Sequence, residues 1–186
     1  MPQRGIPGSA QRSSGLGAAA WLIRGHPGRQ RYLPESEWEV LIQTQLEAII
    51  GRFQADTGTI HLIEDGVLIL KAHAGVPLPV VEIVARVPIG KGMAGLAAER
   101  NEVVTSCNIQ ADETGNVRAG ARETGVNGAV VVPIRDREGN PVGALGIGVH
   151  EEHEYSAAEV ARLLEEAGRL APAQGRYETD PTQPLG

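Results

Sequence analysis

The chain has 186 residues, enough for one domain plus tails, since domains most often hold about 100–150 residues. Its formal net charge of -6 is unevenly divided: residues 1–34 carry five arginines and no acid, leaving -11 for the rest, a poor surface for binding a phosphate backbone. One cysteine excludes an internal disulfide and a cysteine-only metal site and fits a reducing cytoplasm, and no run approaches the ~20 apolar residues of a membrane span.

Ten of the first 34 residues are Gly or Pro and no apolar period is sustained there, so ordering that segment would cost entropy without burying much surface. Residues 1–34 are therefore expected to be a disordered leader and 172–186 a disordered tail. The run Leu16 to Ile23 is at the short end for a signal-peptide core, is interrupted by Gly17 and is followed directly by Arg24, so a secretory signal is not expected.

A helix is predicted from Glu35, with Trp38, Ile42, Leu46, Ile49 and Phe53 recurring at three- and four-residue steps as one apolar stripe. Val40, Leu41 and Ile50 widen that stripe beyond the roughly 100° that one helix on one sheet needs. The surplus is covered either by the last helix of the same chain or by a second copy across a twofold axis, and a homodimer is the expectation.

Gly58 to Ile63 and Val67 to His73 read as strands around Asp65-Gly66, a favoured two-residue hairpin turn. That turn puts Glu64 opposite Val67 and His61 opposite Leu70. Counting on in steps of two sends His61 and His73 to opposite faces, where they cannot share an ion.

Gly90, Gly92 and Gly95 surround Met93 and allow a sharp turn into a short helix, Met93 to Arg100. Val103 and Val104 resume extended structure, and some twenty mostly polar residues follow before the apolar run Ala129 to Ile134. A connection that long within a domain is either disordered or functional. Gly128 to Arg135 and Pro141 to His150 form a second hairpin through DREGN. On its outgoing strand Leu145, Ile147 and Val149 face one way and Ala144, Gly146 and Gly148 the other. The small face suits a ligand floor or a closely packed helix, and spacing does not separate the two. Ser156 and Glu159 form a capping box for a final helix striped by Val160, Leu163, Leu164, Ala167 and Leu170.

The glycine turn and short helix, the strand Val103–Val104, the long loop, VVVPI at Val130 to Ile134, GNPVGALGIG at Gly139 to Gly148 and SAAEV from Ser156 together resemble a GAF domain, a small-molecule sensing module of many signalling proteins. The resemblance covers roughly residues 35–171. It implies an α+β fold related to PAS domains: a central antiparallel sheet of about six strands, with the first and last helices on one face and a pocket under loops on the other. Small residues facing that pocket favour the ligand reading of Gly146 and Gly148. With them, Met93, Ile109, Val126 and Val130 are expected as apolar lining, and Asn108, Arg122 and Asn127 as polar anchors. A space below about 300 Å³ would favour a collapsed, structural module instead.

No catalytic residue, metal ligand or cofactor is expected. Free methionine sulfoxide reductases of this family use cysteines whose corresponding positions here hold Ala94 and, approximately, Arg122, neither of which can form a thiolate. Cys107 is not followed by the histidine of bilin-binding relatives and has no cationic residue within five positions, so a buried, inert thiol is expected. The cyclic-nucleotide branch's NKxxF…DE signature is absent. GKGMAG lacks a P-loop ending, HEEHE is not the HExxH zinc helix, and Asp112-Glu113 reads as a solvated loop pair. The expectation is a cytoplasmic, non-catalytic GAF domain that senses an unknown small molecule and acts through a separate signalling protein, without nucleic acid or membrane. A structural dimerisation module and a thiol redox sensor at Cys107 are the alternatives.

Overall fold

The computed structural model of the chain describes residues 21–22, 32–33, 35–110 and 124–170. Two short strands, β1 (Trp21–Leu22) and β2 (Tyr32–Leu33), pair antiparallel with Trp21 opposite Leu33. The rest of the 1–34 leader and the 172–186 tail, both expected to be disordered, lie outside the described residues.

Helix α1 (Glu35–Phe53) leads into the hairpin β3 (Thr57–Glu64) and β4 (Val67–Ala74). Asp65 and Gly66 both have positive φ, 49° and 77°, as the predicted two-residue turn requires. Then follow α2 (Leu78–Val84), β5 (Arg86–Pro88), α3 (Gly92–Arg100) and β6 (Val104–Ser106). A second hairpin, β7 (Gly128–Arg135) and β8 (Pro141–Val149), precedes α4 (Ala157–Leu170). The main sheet has the order β5-β4-β3-β8-β7-β6 and is antiparallel throughout.

Period-two alternation sorts the side chains to two cores. On one face Trp38, Ile42, Leu46 and Ile49 of α1 and Leu163, Ala167 and Leu170 of α4 bury Ile60, Leu62, Val130, Val132, Leu145 and Ile147. Arg52 of α1 and Glu166 of α4 join the helices at 3.2 Å, and the Arg162 guanidinium lies 5.5 Å from the centre of the Phe53 ring. Ile50 packs into this core within the chain, which reduces the surplus expected on α1, whereas Val40 is 68% exposed and Leu41 half-buried. On the opposite face Leu96, Ala97 and Ala98 of α3 cover Leu68, Val87, Val104, Val131 and Ala144.

A bulge changes one expectation. His61 pairs with Leu70 as expected, but Ile60 pairs with Ala72 and Thr59 with His73, so Lys71 is an extra residue in β4. The extra residue shifts the parity of everything beyond it. His61 and His73 therefore stand on the same face, not on opposite ones. At His73 the outer edge of β4 meets α1: the Gln43 side-chain amide donates to His73 O at 3.0 Å and accepts from His73 N at 3.3 Å.

The capping box forms as expected, with Ser156 N donating to Glu159 Oε2 at 2.8 Å and Glu159 N to Ser156 Oγ at 3.3 Å. No helix among the described residues is long and apolar enough to cross a membrane.

Candidate functional site

Opposite the α1/α4 face lies a cavity of about 130 Å³. Its floor follows from register. Thr57 and Thr59 of β3 stand opposite Gly148 and Gly146 of β8, which in turn stand opposite Ala129 and Val131 of β7. Cross-strand partners share a face, so these six side-chain positions look into one space. Val76 and the α2 residues Val80 and Val84 close one side, while Ile109, Thr124 and Val126 from the two ends of the long loop close another. Residues 111–123 of that loop lie outside the described residues, and Arg122 and the Asp112-Glu113 pair lie among them.

Of the residues predicted to line the pocket, Ile109, Val126, Gly146 and Gly148 do so. Val130 does not: it pairs with Ile147 and points into the α1/α4 core, and its neighbours Ala129 and Val131 take its place. Met93 packs beside Ile109, Val126 and Ala129 without lining the cavity. Asn108 reaches outward to Glu152, and Asn127 donates to His150 O at 2.7 Å, so neither is a polar anchor inside. Among the described lining residues the polar side chains are those of Thr57, Thr59 and Thr124, which the sequence reading missed. Thr124 Oγ1 accepts from Val126 N at 3.1 Å, and Thr57 Oγ1 stands 3.5 Å from Gly148 O. Thr59 Oγ1 makes no hydrogen bond among the described residues.

The two floor glycines differ. A Cβ on Gly148 would come within 2.7 Å of Val126 Cγ1 and 3.0 Å of Thr57 Oγ1, so glycine there lets the loop sit down on the sheet. A Cβ on Gly146 would stand 3.3 Å from both Thr59 Oγ1 and Val131 Cγ2. The small face thus serves close packing at both positions, tighter at Gly148 than at Gly146.

Helix α2 is held over the floor by His61. This imidazole is 2% exposed, and its Nε2–H donates to Val84 O at 2.9 Å, because a carbonyl can only accept. Burial pushes the ring below its ordinary pKa against the smaller opposing pull of that carbonyl, so His61 is neutral at pH 7. Its Nδ1 is buried without a partner. The sequence reading treated His61 only as a metal candidate; it is the tether of α2.

His150 and His153 each have a polar neighbour. His150 Nδ1 lies 3.1 Å from Gly125 O and His153 Nε2 3.1 Å from Glu159 Oε1. Among the described residues no three His, Cys, Asp or Glu side chains stand close enough to hold a metal ion. Cys107 is exposed, not buried as expected, and its carbonyl accepts from His153 N at 3.4 Å.

With this sheet order and helix placement described, comparison with known proteins decides the family. The family model of the GAF domain matches residues 35–172. The chain belongs to the GAF domain family. No curated protein matches it in sequence. Among solved structures it is similar to a type II free methionine-R-sulfoxide reductase from Thermoplasma acidophilum, at 20% identity over 74% of this chain and 92% of that one, with a TM-score of 0.63. It is also similar to the GAF domain of a phosphoenolpyruvate-protein phosphotransferase from Coxiella burnetii, at 24% identity over 72% and 80%, with a TM-score of 0.61. A third is the free methionine-R-sulfoxide reductase from Neisseria meningitidis in complex with its substrate, at 19% identity over 74% and 81%, with a TM-score of 0.60. At these identities the likeness shows the GAF fold alone. It nevertheless corrects the expectation of a non-catalytic chain: two of the three are enzymes on this fold, so membership of the GAF family does not exclude catalysis.

Proposed function

We propose that the chain is a regulatory GAF domain that holds a small molecule between the sheet and α2 and conveys its occupancy to a separate signalling protein in the cytoplasm. The observation that supports binding is the Thr59 hydroxyl, which faces an apolar cavity beside Gly146 with no partner among the described residues. A few polar groups in an apolar pocket are what orient a small ligand. Because α2 is tethered to the floor through His61 and Val84, an occupant that displaces Val80 or Val84 also moves a surface helix. The proposal includes a homodimer through α1 and α4, supported by Val40 standing out beside half-buried Leu41.

One observation favours the structural alternative: about 130 Å³ falls short of the ~300 Å³ at which drug-sized pockets begin. Native mass spectrometry of the purified full chain separates the two. A co-purifying small molecule, released on activation and matching a single mass, supports sensing. Only bare chains or bare dimers, unchanged after incubation with a metabolite extract, would make the structural module the better reading.

A further inference from the structure

Helix α2 hangs between two fixed points. Before it, Gly75 packs so closely that a Cβ there would stand 1.9 Å from Asp56 O, and after it Ala85 O accepts from Leu70 N at 3.0 Å. In between, the helix has no side-chain cap at Pro77 and buries one side chain, Val80, while Leu78 is 75% and Ile83 41% exposed. So little buried surface places the segment at the low-stability end of the fold. What supplements Val80 is the hydrogen bond from His61 Nε2–H to Val84 O.

That bond comes from a ring held neutral. His61 stands between its cross-strand partners Leu70 and Ala144, and its Nδ1 is buried without a partner. Among the described residues no charged side chain faces the ring: Glu82 of α2, Arg86 of β5 and Lys91, Glu99 and Arg100 at the two ends of α3 are exposed, and Lys71 of β4 is paired with Glu64. Burial and the Val84 carbonyl are the influences on its proton. A second proton would go to Nδ1, making a buried N–H with no acceptor in a buried cation. With α2 lifted, the same ring would be hydrated and take up that proton near its ordinary value of 6.5.

We propose that His61 is an acid-released latch, which holds α2 on the sheet while the imidazole is neutral and frees residues 76–84 when Nδ1 is protonated. Protons bind the released state better than the closed one, so closure keeps its full advantage above the ordinary value and loses it as pH falls below. Release would draw Val76, Val80 and Val84 out of the cavity wall whether or not the cavity holds a ligand, so the latch stands independently of the sensing role proposed above.

Hydrogen exchange of the full-length chain, followed amide by amide with the intrinsic pH dependence of exchange removed, tests the latch. From about pH 7.5 to about pH 5.5 the protection of the α2 amides should fall about tenfold, the factor by which protonation near 6.5 favours release over that interval. The α1 amides of Leu46 and Ile49 should keep theirs. His61→Gln supplies a donor that does not titrate and should hold α2 equally at both pH values, and His61→Leu should leave α2 poorly protected at both. Should these variants fail to fold, NMR of the parent's imidazole rings decides, with His61 expected to titrate below its ordinary value. A fall that persists in His61→Gln, no fall in the parent, a parallel loss in α1, or a His61 ring that titrates at its ordinary value overturns the latch.

Discussion

Gly146 and Gly148 face the same way on β8 two residues apart, yet alanine should act on them differently. At Gly148 the new methyl would meet Val126 Cγ1 at 2.7 Å and Thr57 Oγ1 at 3.0 Å. Both neighbours are β-branched and stiff at χ1, so neither swings aside readily. Val126 is also fixed through its backbone, by Thr124 Oγ1 at its N–H and by Gln110 Nε2 at its carbonyl, each at 3.1 Å. Overpacking of this kind costs about 1–3 kcal/mol, while replacing glycine returns about 0.4–1 kcal/mol through the unfolded chain. The net expectation for Gly148→Ala is a loss of about 1–2 kcal/mol. At Gly146 both contacts are at 3.3 Å, so Thr59 and Val131 need give by only a few tenths of an ångström, and Gly146→Ala should cost less than Gly148→Ala. Urea unfolding with linear extrapolation measures both, and the midpoint should fall for Gly148→Ala with an unchanged slope. A Gly148→Ala variant no less stable than Gly146→Ala would show that the loop carrying Val126 yields, and would refute the packing role given to Gly148.

Tyr155→Phe should stabilise the chain by about 1 kcal/mol, because its hydroxyl is buried without a partner and its pKa is pushed up to about 12 by burial and then by the nearby carboxylates of Glu159 and Asp56; a lower urea midpoint would refute this. Glu159 is held at about 2, below its ordinary 4.5, first by the Ser156 hydroxyl and amide and then by His153. A depressed carboxylate stabilises fully above the unfolded value and loses its effect as pH falls toward the folded one, so Glu159→Gln should cost about 1 kcal/mol at pH 7 and nothing below about pH 2 in thermal melts. Light scattering should give about twice 19.7 kDa, and Val40→Glu should return the mass to one chain; a single-chain mass across micromolar concentrations sinks the dimer. Cys107→Ser should leave the response to a ligand intact, and complete protection from peroxide by that change would favour the redox alternative.

The fold was legible because its signals were local: the Asp65-Gly66 turn, the Ser156 capping box and the stripe of α1 each act within a few residues. Parity was legible only where no bulge intervened. Alternation put Gly146 and Gly148 on the pocket face correctly, and the pairing of Val130 with Ile147 on the other face follows from the same hairpin register once it is counted through. Nothing local announces the extra residue at Lys71, so His73 was assigned to the wrong face. Helix α2 was missed because LPVVEIV is dominated by β-branched residues that favour strands, although Pro77 and Pro79 at its start are compatible with a first turn. Thr57 and Thr59 escaped notice as site residues because their role depends on β8 lying beside β3, a pairing of distant segments.

The amide of Gln43 does for β4 what a seventh strand would otherwise do. An unpaired strand edge is a template on which another chain can build. Along β4 that template is closed piece by piece: β5 pairs with Val67, Leu68 and Ile69, Ala85 O takes the Leu70 amide, and Gln43 occupies both backbone groups of His73. At the far side the sheet ends in β6, only three residues long. Growth by strand addition therefore has little to start from along β4. Replacing Gln43 with a residue that cannot both donate and accept would reopen the β4 margin to strand addition by another chain.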